Sequence, residues 1–246
     1  ADWVLAAAAV ADGASPPDVR FCLVPVCAVT VLDTWHVDGM TGTGSNDIVA
    51  DCVFVPEHRT LSIADMRGGS APGAKLHDHP IYRMPMLPFL ALTAAIPAVG
   101  NARATVDRFK EQLNSRTVFG GVETQAGRPS AQMRLALADV KADAAELLLR
   151  QAAENIMETA REGAAGDVSR RIALRAHIAY AMDTAREAIR IVCEASGAGA
   201  HRLDNPLQRA LRDANVMASH VVYDLDAATE LHGRALVGLP PNSPLL

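Results

Sequence analysis

The residues best suited to chemistry lie between Arg212 and Gly233, in the sequence RDANVMASHVVYDLDAATELHG. An Arg-Asp pair opens this stretch, which we expect to form one long helix, and His220 and Asp224 follow four residues apart. Residues with that spacing share one face of a helix. A carboxylate beside an imidazole fixes its tautomer and favours its protonated form, which suits proton transfer near neutral pH. Alone, the pair is a weak signal, because histidines on amphipathic helices more often serve packing.

The composition is that of a globular protein with a helical bias. Of the 246 residues, 50% are apolar, 21% are charged and 4% are aromatic. The net charge of -5 disfavours nucleic acid as a partner, because nucleic-acid binding needs a basic surface. The most apolar run, Met86–Gly100, contains two prolines and is shorter than the roughly 20 residues that span a bilayer. We therefore expect a cytoplasmic protein without a membrane partner, in which this run is a buried helix or a subunit contact.

The cysteines and histidines form no pattern typical of a metal centre or a disulfide framework. The cysteines lack CxxC spacing and are expected to be free thiols. They are Cys22, Cys27, Cys52 and Cys193. His77 and His79, in the sequence HDHP, are interpreted as part of a solvated loop, since no further ligands stand at suitable spacing. No metal site is predicted.

The N-terminal part has the pattern of strands joined by turns, which indicates an antiparallel sheet or small barrel. The predicted strands are Trp3–Val10, Val19–Val26, Thr30–Val37 and Ile48–Val55, with a turn at 13–18. The glycine-rich segment Gly39–Ser45 precedes a strand rather than a helix, so it is not a phosphate-binding loop of the P-loop or Rossmann type. It is either a tight turn or a loop that contacts a ligand through Thr43 and Ser45.

From Pro85 onwards, apolar residues recur every three or four positions, which is typical of helices. One predicted helix starts near Pro129 and buries Leu137, Val140, Ala144, Leu148, Ala152 and Ile156. The next buries Ile172, Ala176, Ala179, Met182, Ile189 and Cys193 and ends near Gly197. Asn205 and Pro206 then fit the N-cap and first position of the last helix.

These elements predict an α+β fold that is mostly α. We expect an antiparallel β-domain with a connecting loop over residues 1–75. A C-terminal four-helix bundle should follow over residues 76–246.

Several segments together resemble the acyl-CoA dehydrogenase superfamily. Trp35–Arg59 (WHVDGMTGTGSNDIVADCVFVPEHR) resembles its middle β-domain. The stretch Arg116–Gly120, the turn Ser196–His201 (SGAGAH) and the segment Pro206–His220 then follow in the superfamily's order. The resemblance covers nearly the whole chain and implies an acyl-CoA dehydrogenase-like fold. The superfamily's N-terminal helical domain is missing from this sequence, and we expect it to precede Ala1.

One position helps to separate two chemistries within the superfamily. Many acyl-CoA dehydrogenases carry a catalytic Glu just after the Arg-Asp segment, where this chain has Val221, preceded by His220. In having a histidine at this point, the chain resembles the two-component flavin-dependent monooxygenases. The resemblance therefore implies an oxygenase component that hydroxylates an aromatic, phenolic or polyketide-like substrate with O2. It would use reduced flavin (FMN or FAD) from a separate flavin reductase and act through a flavin C4a-hydroperoxide.

The resemblance also assigns cofactor-binding residues. Trp35, Thr43 and Ser45 match positions of the β-domain that approach the flavin. Arg116 and Phe119 match the phosphate-binding Arg and its aromatic companion, which a neighbouring subunit commonly supplies. The resemblance thus implies a homo-oligomer, in the form of a tetramer.

The remaining assignments concern the turn along the cofactor and the catalytic group. Ser196 and Gly197 match that turn. His220 matches the imidazole near the flavin ring, and Asp224 matches a partner that orients it. We expect the imidazole to face a cleft enclosed by the sheet, the bundle and a neighbouring protomer.

Two alternatives remain open. The first is an FAD-dependent acyl-CoA dehydrogenase whose base lies elsewhere, with Glu111 and Glu123 as candidates. The second is a non-catalytic helical scaffold that kept the fold and lost the cofactor.

Overall fold

A computed structural model describes residues 2–11 and 17–243, which form two compact units. The first unit contains the described residues up to Val37, together with Thr41–Leu87 and Ile156–Val168. The second contains Asp38–Met40, Pro88–Asn155 and the described residues from Ser169 onwards. The predicted domain boundary after residue 75 falls within the first unit. Most of the predicted turn at 13–18 lies outside the described residues.

The first unit holds two small antiparallel sheets. Its strands are β1 (Trp3–Ala9), β2 (Val19–Pro25), β3 (Thr30–Leu32), β4 (Asp47–Val49) and β5 (Thr60–Ser62). One sheet has the order β1-β2-β5, and β3 pairs with β4 in the other. The short helices α1 (Ile63–Arg67) and α2 (Pro72–Leu76) follow. The connecting loop predicted at the end of residues 1–75 therefore contains α1 and most of α2, two short helices that were not predicted.

The strands of the second sheet are shorter than predicted. Their pairing covers only three residues on each strand. Beyond it, the backbone N–H groups of Thr34 and Trp35 donate to Oδ1 of Asn46, at 3.1 and 2.9 Å, rather than to a neighbouring strand. The predicted strands Thr30–Val37 and Ile48–Val55 were thus too long. In the first of them, the side chain of Asn46 replaces the ladder.

The second unit is built from helices around an apolar core. It contains all or most of five helices, which are α3 (Met86–Ser115), α4 (Pro129–Arg161), α5 (Val168–Ala195), α6 (Pro206–Ala218) and α7 (Leu225–Leu236). Its fully buried large side chains include Phe109 on α3, Ile178 and Ile189 on α5, Leu207 on α6 and Leu231 on α7. The predicted mostly helical α+β fold, with antiparallel strands first and a helical bundle after them, is confirmed.

Helix α3 is long and apolar enough, by length and composition, to cross a membrane. It is the one such helix among the described residues, and 44% of its most apolar window is buried inside the protein. A core helix passes the same test, and α3 buries Ala95, Ala102 and Phe109 completely. The helix is therefore weak evidence for a membrane span.

The buried face of α5 matches the prediction, whereas that of α4 matches only in part. The six predicted positions on α5 are each no more than 5% exposed. On α4, Ala152 and Ile156 are buried as predicted, but Leu137 and Val140 are 50% and 62% exposed. The buried residues of its first half are Ala138, Ala142 and Ala145. Two apolar stripes run side by side there, and the alanine stripe is the one that packs inward.

The predicted long helix across Arg212–Gly233 is two helices. Helix α6 ends at Ala218, one turn of 3-10 helix follows, and α7 begins at Leu225. His220 and Asp224 lie in the break between them, so their predicted placement on one helix face was wrong.

The start of α6 yields the first testable prediction. Asn205 caps the helix as predicted, because its Oδ1 accepts a hydrogen bond from the N–H of Leu207 at 3.0 Å. Asn205→Ala should lower the free energy of unfolding by about 1 kcal/mol, the usual effect of losing a cap. Urea denaturation followed by circular dichroism measures it. Asn215→Ala, at an exposed position inside the same helix, is the control and should be neutral or slightly stabilising. Equal losses in the two variants would contradict the capping role.

Candidate active site

His220 lies at the surface in the break between α6 and α7. Its Nδ1 accepts a hydrogen bond from the backbone N–H of Val222 at 3.2 Å. Because Nδ1 is the acceptor, the proton of the neutral ring resides on Nε2. The cleft predicted between the sheet, the bundle and a neighbouring protomer stays a prediction.

Asp224 serves α7 as its N-cap. Its Oδ1 accepts a hydrogen bond from the N–H of Ala227 at 3.0 Å. A carboxylate at this end of a helix also interacts favourably with the helix dipole. The role of Asp224 in orienting His220 stays a prediction, since the Nδ1 of that imidazole bonds to Val222 instead.

Two buried side chains anchor the turn between the helices. The Oη of Tyr223 donates to the carbonyl of Ala91 on α3 at 2.7 Å, and burial raises the pKa of Tyr223 to about 12, so the phenol remains a donor. Nη2 of Arg175, on α5, donates to the carbonyl of Val221 at 3.3 Å. Burial lowers the pKa of Arg175, and the negative charge of Asp224 opposes that shift.

Neither anchor was predicted from the sequence. Arg175 lies three residues after Ile172 and four before Ala179, on the face of α5 that the periodicity predicts to be buried. A charged residue on such a face is a signal, because it must find polar partners inside the protein.

Arg212 and Asp213, the Arg-Asp pair on α6, hold a backbone segment that is distant in the sequence, residues 38–40. The Oδ1 of Asp213 accepts a hydrogen bond from the N–H of Met40 at 2.6 Å. Arg212 donates to the carbonyl of Asp38 through Nη1 and to Oε1 of Gln208 through Nε. Both side chains therefore fix residues 38–40, where the glycine-rich segment Gly39–Ser45 begins.

The phosphate-binding candidate Arg116 contacts the turn at the end of α5. Its Nη1 donates to the carbonyl of Ser196 at 3.3 Å, while Oγ of the buried Ser196 donates to the carbonyl of Val192. Gly197 has a φ of 70° and nothing within 4 Å of the position that a Cβ would take, so the backbone there is open. Phe119 is fully exposed. The structure thus brings Arg116 to Ser196 and leaves Phe119 accessible.

The β-domain candidates are joined by hydrogen bonds within the first unit. The backbone N–H of the half-buried Trp35 is held by Asn46, and Oγ of Ser45 donates to Oγ1 of Thr43 at 3.1 Å. Both hydroxyl-bearing residues are exposed on the loop. Asn46, which fixes this loop, was missed, although an Asn beside Gly and Ser is a common turn residue.

His77 and His79 contact neighbouring residues of their own segment. His77 stacks on Tyr82 with ring centroids 4.4 Å apart, and Nδ1 of His79 accepts from the N–H of Ile81. The four cysteines are free thiols, as predicted. Among the described residues, no group of three or more His, Cys, Asp or Glu side chains could hold a metal ion.

The fold defines a mostly helical α+β protein of the acyl-CoA dehydrogenase type. The sequence profile described as "Acyl-CoA dehydrogenase, C-terminal domain" matches residues 92–225. The chain therefore belongs to this family.

Three similar proteins carry related names. The chain is 39% identical over 246 residues to "Pigment production hydroxylase" of Rhodococcus sp. (strain ATCC 21145), covering 100% of this chain and 63% of that protein. It is 33% identical to the "FADH(2)-dependent resorcinol hydroxylase, oxygenase component" of Rhizobium sp. (strain MTP-10005), covering 98% of this chain and 61% of that protein. The solved structure of XiaF from Streptomyces sp. in complex with FADH2 and glycerol has a TM-score of 0.88 at 30% identity and matches 100% of this chain and 62% of XiaF. The chain thus spans about three fifths of each relative.

Gly39 should be intolerant of any side chain. A Cβ on this buried residue would lie 2.4 Å from the carbonyl oxygen of Arg212, which is backbone and cannot move aside alone. Gly39→Ala should therefore lower the free energy of unfolding by about 1–3 kcal/mol, the usual range for overpacking. Gly42→Ala is the matched control, since nothing lies within 4 Å of its Cβ position. Thermal denaturation of the two variants compares them, and an unchanged midpoint for Gly39→Ala would refute the close approach.

Proposed function

We propose that the protein carrying this chain is the oxygenase component of a two-component flavin-dependent monooxygenase. It would hydroxylate an aromatic substrate with O2 and with reduced flavin from a separate flavin reductase. The observation that carries the proposal is His220, exposed in the break between α6 and α7 with its ring proton on Nε2. The names of the similar proteins support it. Two are named hydroxylases, one of these two is an FADH(2)-dependent oxygenase component, and XiaF has FADH2 bound.

The same names favour this function over the two alternatives. None of these three names describes a scaffold without a cofactor. For a dehydrogenase, the candidate bases Glu111 and Glu123 are both exposed. Catalytic carboxylates are commonly buried, and neither of these two is.

The donors at the end of α5 suit the phosphate of a flavin nucleotide. The guanidinium of Arg116 carries five N–H groups, and the bond to Ser196 uses only one of its nitrogens. A planar cation of this kind binds phosphate well. The open backbone at Gly197 and the exposed ring of Phe119 provide a surface for the rest of the molecule. Trp35, Thr43 and Ser45 stay proposed flavin contacts by the family resemblance.

His220 would control the proton at the reacting oxygen. When bound, the reduced flavin supplies two electrons, so that one oxygen atom of O2 enters a ring C–H bond and the other leaves as water. Nε2–H of His220 can donate to an oxygen atom next to it, and the imidazole can exchange that proton with a substrate phenol near neutral pH. General acid–base help of this kind contributes roughly a hundred- to ten-thousand-fold. Asp224, as the cap of α7, would keep the following helix in place.

His220→Ala should lower the yield of hydroxylated product per reduced flavin at least about a hundredfold, because the proton donor is removed. The dissociation constant for reduced flavin should change little, since the phosphate contacts lie elsewhere. His58→Ala, which removes an exposed histidine of the first unit, is the control and should keep the yield. The measurement is product formed in single-turnover mixing with a panel of phenols. Full yield from His220→Ala would rule out the proposed role.

We also propose that the protein assembles as a cytoplasmic homotetramer. Free cysteines fit a reducing compartment. Helix α4 exposes a stripe of large apolar side chains on one face, at spacings of four, three and seven residues. The stripe contains Met133, Leu137, Val140 and Leu147, which are 72%, 50%, 62% and 66% exposed. An exposed apolar stripe of this size is typical of a protein contact, and a second copy of the chain is the proposed partner.

The double variant Leu137→Glu/Val140→Glu should dissociate the assembly, because it places two charges on the stripe. Light scattering would then report a smaller molar mass than that of the wild type. If Arg116 reaches the flavin of a neighbouring subunit, flavin affinity should fall together with the mass. Leu76→Glu, at a position 77% exposed on the first unit, is the control and should leave the mass unchanged. An unchanged mass for the double variant would argue against this interface.

A further inference from the structure

We propose that Arg175 is a positioning residue for His220. It would act through the peptide group between Val221 and Val222. This inference rests on the proposed role of His220 as the proton-controlling group.

A single peptide group connects the guanidinium of Arg175 to the imidazole of His220. The carbonyl of Val221 and the N–H of Val222 are the two ends of that group. Nη2 of Arg175 donates to the carbonyl at 3.3 Å, and the N–H donates to Nδ1 of His220 at 3.2 Å. Donation to the carbonyl polarises the peptide and strengthens its N–H as a donor. Arg175 thereby favours the His220 tautomer with the proton on Nε2.

The positive charge of Arg175 is buried beside the turn that carries His220. Arg175 is 6% exposed and lies on the buried face of α5, next to the buried Ala176. A buried guanidinium is costly unless polar partners surround it. Asp224, at the far end of the same turn, contributes a favourable negative charge. The cation therefore interacts with both ends of the four-residue segment from Val221 to Asp224.

The other bonds that hold the segment from Val221 to Asp224 come from Tyr223 and Asp224. The hydroxyl of Tyr223 fixes its centre to α3, and Asp224 is engaged with α7. Neither of these bonds controls the rotation of the peptide group that faces His220. Arg175 does so, because its guanidinium binds the carbonyl end of that group.

The test compares Arg175→Met, Arg175→Lys and Ile172→Ala in the full-length protein. Ile172→Ala removes a buried apolar side chain from the same helix face and so controls for lost stability. The first readout is hydrogen exchange of the peptide covering residues 219–224 in flavin-free protein. Arg175→Met should speed it about tenfold or more, as expected when a bond to a charged group is lost. Arg175→Lys, which keeps the charge, should restore part of the protection, and Ile172→Ala should leave this peptide near wild type.

The second readout is product per reduced flavin. It should fall for Arg175→Met, recover in part for Arg175→Lys, and stay near wild type for Ile172→Ala, with flavin affinity unchanged in all three. If residues 219–224 of Arg175→Met exchange hydrogen at the wild-type rate, the inference is overturned. Faster exchange with an unchanged product yield would overturn it too.

The two proposals fail in different ways. If the wild type hydroxylates, His220→Ala does not, and Arg175→Met behaves as wild type, the inference about Arg175 is wrong and the proposed function stands. If the wild type hydroxylates no phenol, or His220→Ala keeps full yield, the proposed function is wrong. The exchange measurement still reports whether Arg175 holds the turn.

Discussion

The interruption between α6 and α7 is the constraint on which the candidate site depends. In a continuous helix, the N–H groups of Val222 and Ala227 would bond to carbonyls one turn earlier. Here they bond to the side chains of His220 and Asp224. Side chains that bond to nearby backbone in this way compete with helix formation. The bond from Val222 to His220, which caps the 3-10 turn after α6, also selects the nitrogen of His220 that carries the proton.

The second unit repeats this use of polar side chains on backbone groups. The carboxylate of Asp213 binds the N–H of Met40, and Arg116 binds the carbonyl of Ser196. Each joins two segments that are far apart in the chain. The residues with the strongest chemical signal in the sequence therefore divide into two kinds. Some fix loops, as Arg212 and Asp213 do, and others remain accessible, as His220 and Phe119 do.

The sequence was sufficient where local pattern decides the outcome. The buried face of α5 followed from its periodicity, and the start of α6 followed from Asn205 and Pro206. It was insufficient where the decisive partner is remote. The face of α4 depends on whether alanine or larger side chains meet the neighbouring helices, and Leu137 and Val140 were therefore assigned to the wrong side. The role of Arg175 could not be read from the sequence, because its partner Val221 lies 46 residues away.

The attachment of residues 38–40 to α6 has an evolutionary consequence. Asp38 and Met40 are each bonded to the Arg-Asp pair, and Gly39 between them touches the same backbone. A segment held at three successive residues cannot gain or lose one without breaking a bond. The hairpin-like turn between Thr117 and Thr124 is exposed at its tip, at Phe119 and Val122. Insertions and deletions in homologous chains should therefore accumulate in the part of that turn that follows the proposed flavin contact Phe119, and should avoid residues 38–40.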